Sequence, residues 1–218
     1  GMTDAAVDVP RENDAQLAWR IGGTLFLACA AVSVVEPFLV GTPAITIAFL
    51  ARTALFSAGL IVFALGVRGS GSVVARRPLG VVAVLVLAAV PAIAGIVSVA
   101  VPYSMDLVDF FLAWKYAVPA IELGAAIVAV IVIARAGVVR PPWRWVPLGA
   151  LIATAAPQLI LLAVVASPGA DIQAMAGAMY GFSQLVNIAV PLTLAVGAIF
   201  LSQDRPEPRT VQIYPPAD

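Results

Sequence analysis

Apolar residues fall along this chain in six long runs, at 19–40, 44–67, 79–101, 108–134, 145–166 and 178–201, separated by short polar breaks. A helix needs ~20 residues, at ~1.5 Å rise each, to cross the hydrocarbon core of a bilayer. Every run meets that length. The polar/apolar alternation of a transmembrane barrel strand is absent. The pattern predicts an all-α polytopic membrane protein, a bundle of six transmembrane helices spanning 18–201. Residues 1–17 and 202–218 are polar and contain proline, and they are expected to be disordered tails. The break at 40–44 is short enough to make the first two helices a tight hairpin.

Composition agrees with the pattern. Of 218 residues, 62% are hydrophobic and 11% charged, against ~25% charged in a soluble domain. There is no histidine. That excludes His-ligated haem, His-containing zinc sites and a Ser-His nucleophile pair. The single cysteine, Cys29, cannot form an internal disulfide. "FLAC" at 26–29 loosely resembles a lipoprotein cleavage box, but the segment before it is acidic and the apolar run continues well past it, so cleavage is not expected. Gly1 ahead of Met2 reads as a residue left by tag removal and carries no functional argument.

Charge placement orients the bundle. Arg11 and Arg20 precede or open the first run. Arg68, Arg76 and Arg77 lie between runs two and three, and Arg135, Arg140 and Arg144 between four and five. Arg205 and Arg209 follow run six. The other connections hold no Lys or Arg, and Asp106, Asp109 and Asp171 lie there instead. By the positive-inside rule the basic side is cytoplasmic, so both termini are expected in the cytoplasm and the protein in the cell (plasma or inner) membrane. Trp143 and Trp145 fall where interfacial aromatics belong.

Four charges remain inside the runs: Glu36, Arg52, Lys115 and Glu122. Charged groups at membrane depth are costly and rarely face lipid. Glu36 lies ~6 Å from the outer end of helix one and Arg52 ~12 Å down helix two, which makes a Glu36–Arg52 pair easy across the hairpin. Lys115 lies ~10 Å down helix four and Glu122 roughly another 10 Å deeper. With Pro119 they are spaced i, i+4, i+7 and share one face. Proline removes a helical hydrogen bond and frees a carbonyl. Pro37 frees that of Ser33, Pro119 that of Lys115 and Pro191 that of Asn187. Ser183, Asn187 and Pro191 form a further stripe, and Pro157 adjoins Gln158.

These residues predict a polar pocket in the outer half of the bilayer. Helices one, two, four, five and six would build it, with Glu36, Arg52, Lys115, Glu122, Gln158, Ser183 and Asn187 as solute-binding groups. Helix three, almost free of polar groups, is expected against lipid or a partner. A purely structural role, in which the ion pairs fix helix register, is the competing reading. "GAMYG" at 177–181 has the GxxxG spacing and reads as close helix packing.

No HExxH, GxSxG, Walker loop or Asp-rich cluster is present, so no enzymatic activity, metal or cofactor is expected. A retinal-like Schiff base on Lys115 is set aside, because this lysine sits in helix four of six and the likeness ends there. The expected partners are the lipid bilayer, a small polar or charged solute or a proton, and a protein in the membrane; no nucleic acid is expected. The leading functional expectation is a small-solute or ion transporter, or the membrane subunit of one. Two three-helix halves of inverted topology would suit that plan. The alternative is a non-enzymatic accessory or scaffold subunit of a membrane complex.

Overall fold

The computed structural model describes residues 11–67, 71–102, 104–165, 169 and 172–203, and all regular elements among them are helical. The main helices are α1 (Arg11–Val35), α2 (Ala44–Leu65), α3 (Pro78–Ala100), α4 (Val108–Ala136), α5 (Val146–Val165) and α6 (Ile172–Gln203). Short 3-10 turns at Glu36–Leu39, Met105–Leu107 and Trp143–Trp145 join or extend them. Five helical segments, Asp14–Leu39, Ala44–Leu65, Pro78–Ala100, Met105–Ala136 and Gly177–Gln203, are long and apolar enough to cross a membrane. The chain is thus a multi-pass membrane protein. The remaining main helix, α5, has 20 residues, and several of its side chains lie outside the described residues.

Two boundaries differ from the apolar runs. Helix α1 starts at Arg11, so the expected N-terminal tail is helical from there on; Asp14 in its first turn suits the positive end of the helix dipole. Residues 1–10 and 204–218 lie outside the described residues. At the other end, α1 stops being α-helical at Val35. Pro37 has no N–H to continue the ladder, and the chain tightens into the 3-10 turn. The hairpin then closes through Gly41, at φ 84°, and a Thr42 hydroxyl that donates to the Leu39 carbonyl at 2.7 Å.

The helices follow one another in space in the order α5, α6, α1, α2, α3, α4, with α4 touching α5 only lightly. Small residues decide these contacts, as expected where lipid gives no hydrophobic drive to helix pairing. Helices α1 and α2 interlock reciprocally. Phe26 of α1 lies over Gly59 of α2, where an added Cβ would sit 2.9 Å from the ring, and Phe63 of α2 packs directly on Gly22 of α1. The two rings meet at 5.2 Å between centroids. The next residue, Gly23, faces α6 instead, 3.2 Å from Ala198 by the same measure. Adjacent glycines thus admit a different helix on each side of α1.

Helix α3 has two different faces. It lies between α2 and α4, with one stripe of residues packed on them and the rest of its surface directed outward. Its Gly80, Ala83, Val84, Ala88 and Gly95 are buried, and the Ser57 hydroxyl of α2 donates to the Ala88 carbonyl at 2.6 Å. Its lack of polar groups concealed a small-residue stripe that lets neighbours approach. Its opposite face, with Leu79, Val82, Ile93 and Ile96, is exposed.

Several contacts place the basic connections at one end of the bundle, together with the start of α1 and the end of α6. Gly71, at φ 79°, packs on Ala15 and Ala18. Gly80 lies against Val132 of α4 and Val74 of the α2–α3 connection, and Trp143 stacks on Phe200 at 5.9 Å. The α2–α3 connection is itself tucked in: Ser72, Val73 and Val74 are buried, and the Ser72 hydroxyl donates to the Ala64 carbonyl at 2.6 Å. The main apolar cluster joins Phe63, Val74, Val84, Val132, Ala195 and Ala198 near this basic end.

The far end is looser. The buried residues of α4 are Ala129, Val132 and Ile133, all in its basic-end half. Phe110, Leu112, Tyr116 and Ile121 of its other half are exposed, as are Tyr180, Phe182 and Leu185 of α6. Gly177 and Gly181 have no neighbour within 4 Å of an added Cβ, so the GxxxG spacing marks no close packing among the described residues.

Candidate functional site

The α1–α2 hairpin brings Glu36 and Arg52 together, as their spacing implied. Nε of Arg52 lies 2.7 Å from Oε2 of Glu36, with side-chain exposures of 20% and 13%. The Nε–H does not point along this contact, so charge attraction rather than an aligned hydrogen bond holds it. Pro37 positions Glu36 by ending the α-helix one residue before it, which turns the carboxylate back over α2. The guanidinium also lies 5.4 Å from the ring centroid of Phe49, one helical turn earlier on α2, a cation–π contact.

Beneath the pair is a second polar layer. The Cys29 thiol donates to the Arg52 carbonyl at 3.6 Å, and the fully buried Ser33 hydroxyl donates to the Cys29 carbonyl at 2.9 Å. Cys29 and Ser33, spaced i, i+4, share the face of α1 that meets α2, and Glu36 follows in the 3-10 turn just beyond the helix. That signal was present in the sequence, hidden because cysteine and serine are unremarkable in an apolar helix.

The other predicted residues fall elsewhere. Lys115 is exposed on α4, between Trp114 and the exposed Tyr116. Trp114 stacks on Phe110 at 5.8 Å, and Phe110 meets Phe111 edge-on. This aromatic group occupies the far-end portion of α4. Glu122 is half-buried and has no ion pair with any described residue. Pro119 stands between them inside an unbroken helix and is exposed. On α6, Ser183 is exposed, Asn187 half-buried and Pro191 buried. The side chains of Pro157 and Gln158 lie outside the described residues.

The expected pocket is therefore distributed. Glu36 and Arg52 form a compact pair between α1 and α2. Lys115 and Glu122 lie on α4, which packs on α3, and Ser183 and Asn187 lie on α6, which packs on α1 and α5. Helices α4 and α6 share the apolar cluster at the basic end through Val132, Ile133, Ala195 and Ala198. Beyond it, neither Phe110–Ile121 on α4 nor Tyr180–Leu185 on α6 contains a buried residue. No group of three or more metal-ligating side chains occurs among the described residues. Comparison with protein families, curated proteins and solved structures returns no match.

Proposed function

We propose that this protein is a transporter of a small polar or charged solute or ion, or the membrane subunit of one. In this reading six helices cross the cell membrane, with the basic end and both termini in the cytoplasm. The observation that carries it is Glu122. It is an acidic side chain at mid-helix depth, partly accessible, and without an ion partner among the described residues. A carboxylate used only to fix helix register is expected to have a partner, as Glu36 does. An unpaired one can exchange a proton or meet a cationic group on a solute. Pro119 on the same face leaves a helix carbonyl free nearby. The loose far halves of α4 and α6 supply access from the outer side.

The test is Glu122→Gln in proteoliposomes. The variant is expected to purify and melt like the parent while losing proton-coupled uptake or solute-dependent thermal stabilisation. A variant that misfolds, or one that transports as the parent does, makes Glu122 structural and removes the main support for transport.

A second reading is an accessory or scaffold subunit. It is favoured by the exposed apolar far halves of α4 and α6, with Gly177 and Gly181 open for close approach. A stable protein partner recovered by crosslinking from Tyr180, together with unaltered transport in the Glu122 variant, would favour it.

A further inference from the structure

The basic end is more than a marker of orientation. Arg20, Arg76, Arg77 and Arg135 are exposed there, and Asp14, at the start of α1, is the acidic side chain described at that end. Arg140 and Arg144 sit one turn apart, joined by an Arg144 N–H that donates to the Arg140 carbonyl at 3.3 Å. The Arg144 guanidinium lies 5.2 Å from the ring centroid of Trp145, and its Nε is shut off from solvent without a hydrogen-bond partner. Exposed apolar side chains adjoin these charges. Leu79 and Val82 follow Arg76 and Arg77, and Val138 and the half-exposed Trp145 accompany Arg135 and Arg144. Gly80 packs against both Val74 and, on α4, Val132, which brings Arg77 and the last turn of α4, with Arg135, to one rim, and the 3-10 turn that carries Arg144 also touches α4.

We propose that this rim, formed by Arg76, Arg77, Arg135 and Arg144, seats the headgroup of an anionic phospholipid of the adjoining leaflet. The surface asks for an amphiphile. A soluble anion would satisfy the guanidiniums and leave Leu79, Val82, Val138 and Trp145 without partners. A phospholipid supplies a phosphate at the height of the arginines and an acyl chain at the height of the apolar residues. Arginine suits this task, since its planar fork pairs with phosphate oxygens in two-point fashion while its face stays stacked on an aromatic ring. Trp145 holds Arg144 in such a pose. The inference depends on the membrane placement of the chain and not on the transport reading, so it survives if Glu122 proves structural.

The test is native mass spectrometry of the full-length chain in detergent, titrated with phosphatidylglycerol or phosphatidylcholine, with inorganic phosphate as competitor. Phosphatidylglycerol is expected to bind at least about tenfold more tightly, with the preference shrinking as ionic strength rises. Arg77→Gln, Arg135→Gln and Arg144→Gln are each expected to weaken it about fivefold. Arg77→Lys and Arg135→Lys are expected to keep most of it. Equal binding of the two lipids by the parent overturns the proposal, and that comparison needs no variant. So does an undiminished preference in the triple glutamine variant. Displacement of phosphatidylglycerol by millimolar phosphate would instead identify a soluble-anion site and also overturns it.

Discussion

Arg52 of α2 and Glu36, just past the end of α1, meet at 2.7 Å across a hairpin whose turn is only a few residues long. Each residue removes the other's cost of lying within the membrane. Glu36→Gln or Arg52→Gln leaves the remaining charge partly buried and unpaired, whereas the double change leaves none. Both groups keep some exposure, so each single change is expected to cost about 1–3 kcal/mol, below the figure for a fully buried pair. The double variant should cost less than the sum by about 1 kcal/mol, read from melting curves in detergent. Strictly additive losses would separate the two residues energetically.

The buried α2–α3 connection changes how topology should be probed. Ser72 is buried and hydrogen-bonded to Ala64, so a cysteine there would resist labelling from either side. Ala75 is exposed in the same connection, and Met105, 82% exposed, lies at the far end. In a Cys29→Ala background, Met105→Cys is expected to react with an impermeant thiol reagent on intact cells. Ala75→Cys should react only after permeabilisation. Reaction of Ala75→Cys in intact cells would invert the proposed orientation.

Glycine positions separate tight from open packing. A Cβ at Gly80 would sit 2.5 Å from the Val132 side chain and 2.8 Å from that of Val74, both buried in the main apolar cluster. Gly80→Ala should therefore lower stability by about 1–3 kcal/mol. Among the described residues Gly124→Ala and Gly177→Ala meet nothing within 4 Å, and they should leave the melting temperature unchanged or slightly raised. A loss at Gly177 as large as at Gly80 would show that this stretch of α6 is closely covered.

The α2–α3 hydrogen bond offers a smaller, calibrated effect. Ser57 donates to the carbonyl of Ala88 at 2.6 Å, and both residues are buried. Within membranes such bonds contribute modestly, because the separated helices find other partners. Ser57→Ala is expected to cost about 0.6 kcal/mol, and Ser57→Val more, since its extra methyl must enter the α2–α3 contact. A cost near zero for Ser57→Ala would make the bond incidental to helix pairing.

The sequence by itself determined the class, the helices and the hairpin pair. Apolar runs of membrane-crossing length leave the backbone one practical way to satisfy its own polar groups, so the helix positions follow from hydropathy alone. Glu36 and Arg52 were legible because a short turn forces adjacent helices together, leaving little for tertiary structure to choose. Clustering of the arginines at one end was legible for a similar reason: successive antiparallel helices alternate their connections between the two ends of the bundle.

Tertiary structure alone decided which helices touch. Hydropathy cannot rank helix faces when lipid and protein are equally apolar, and the choice passes to small residues and shape. That is why α3, featureless in sequence, proved to lie between α2 and α4 through Gly80, Ala83 and Ala88. It is also why Gly22 and Gly23 were read only afterwards as seats for Phe63 and for α6, and why the Gly177–Gly181 spacing marked no close contact among the described residues. Lys115, Glu122, Ser183 and Asn187 were identifiable as costly or polar groups on particular helix faces. Whether those faces meet depends on the order of helices in space, which no local pattern encodes, and that order set α4 against α3 and α6 against α1.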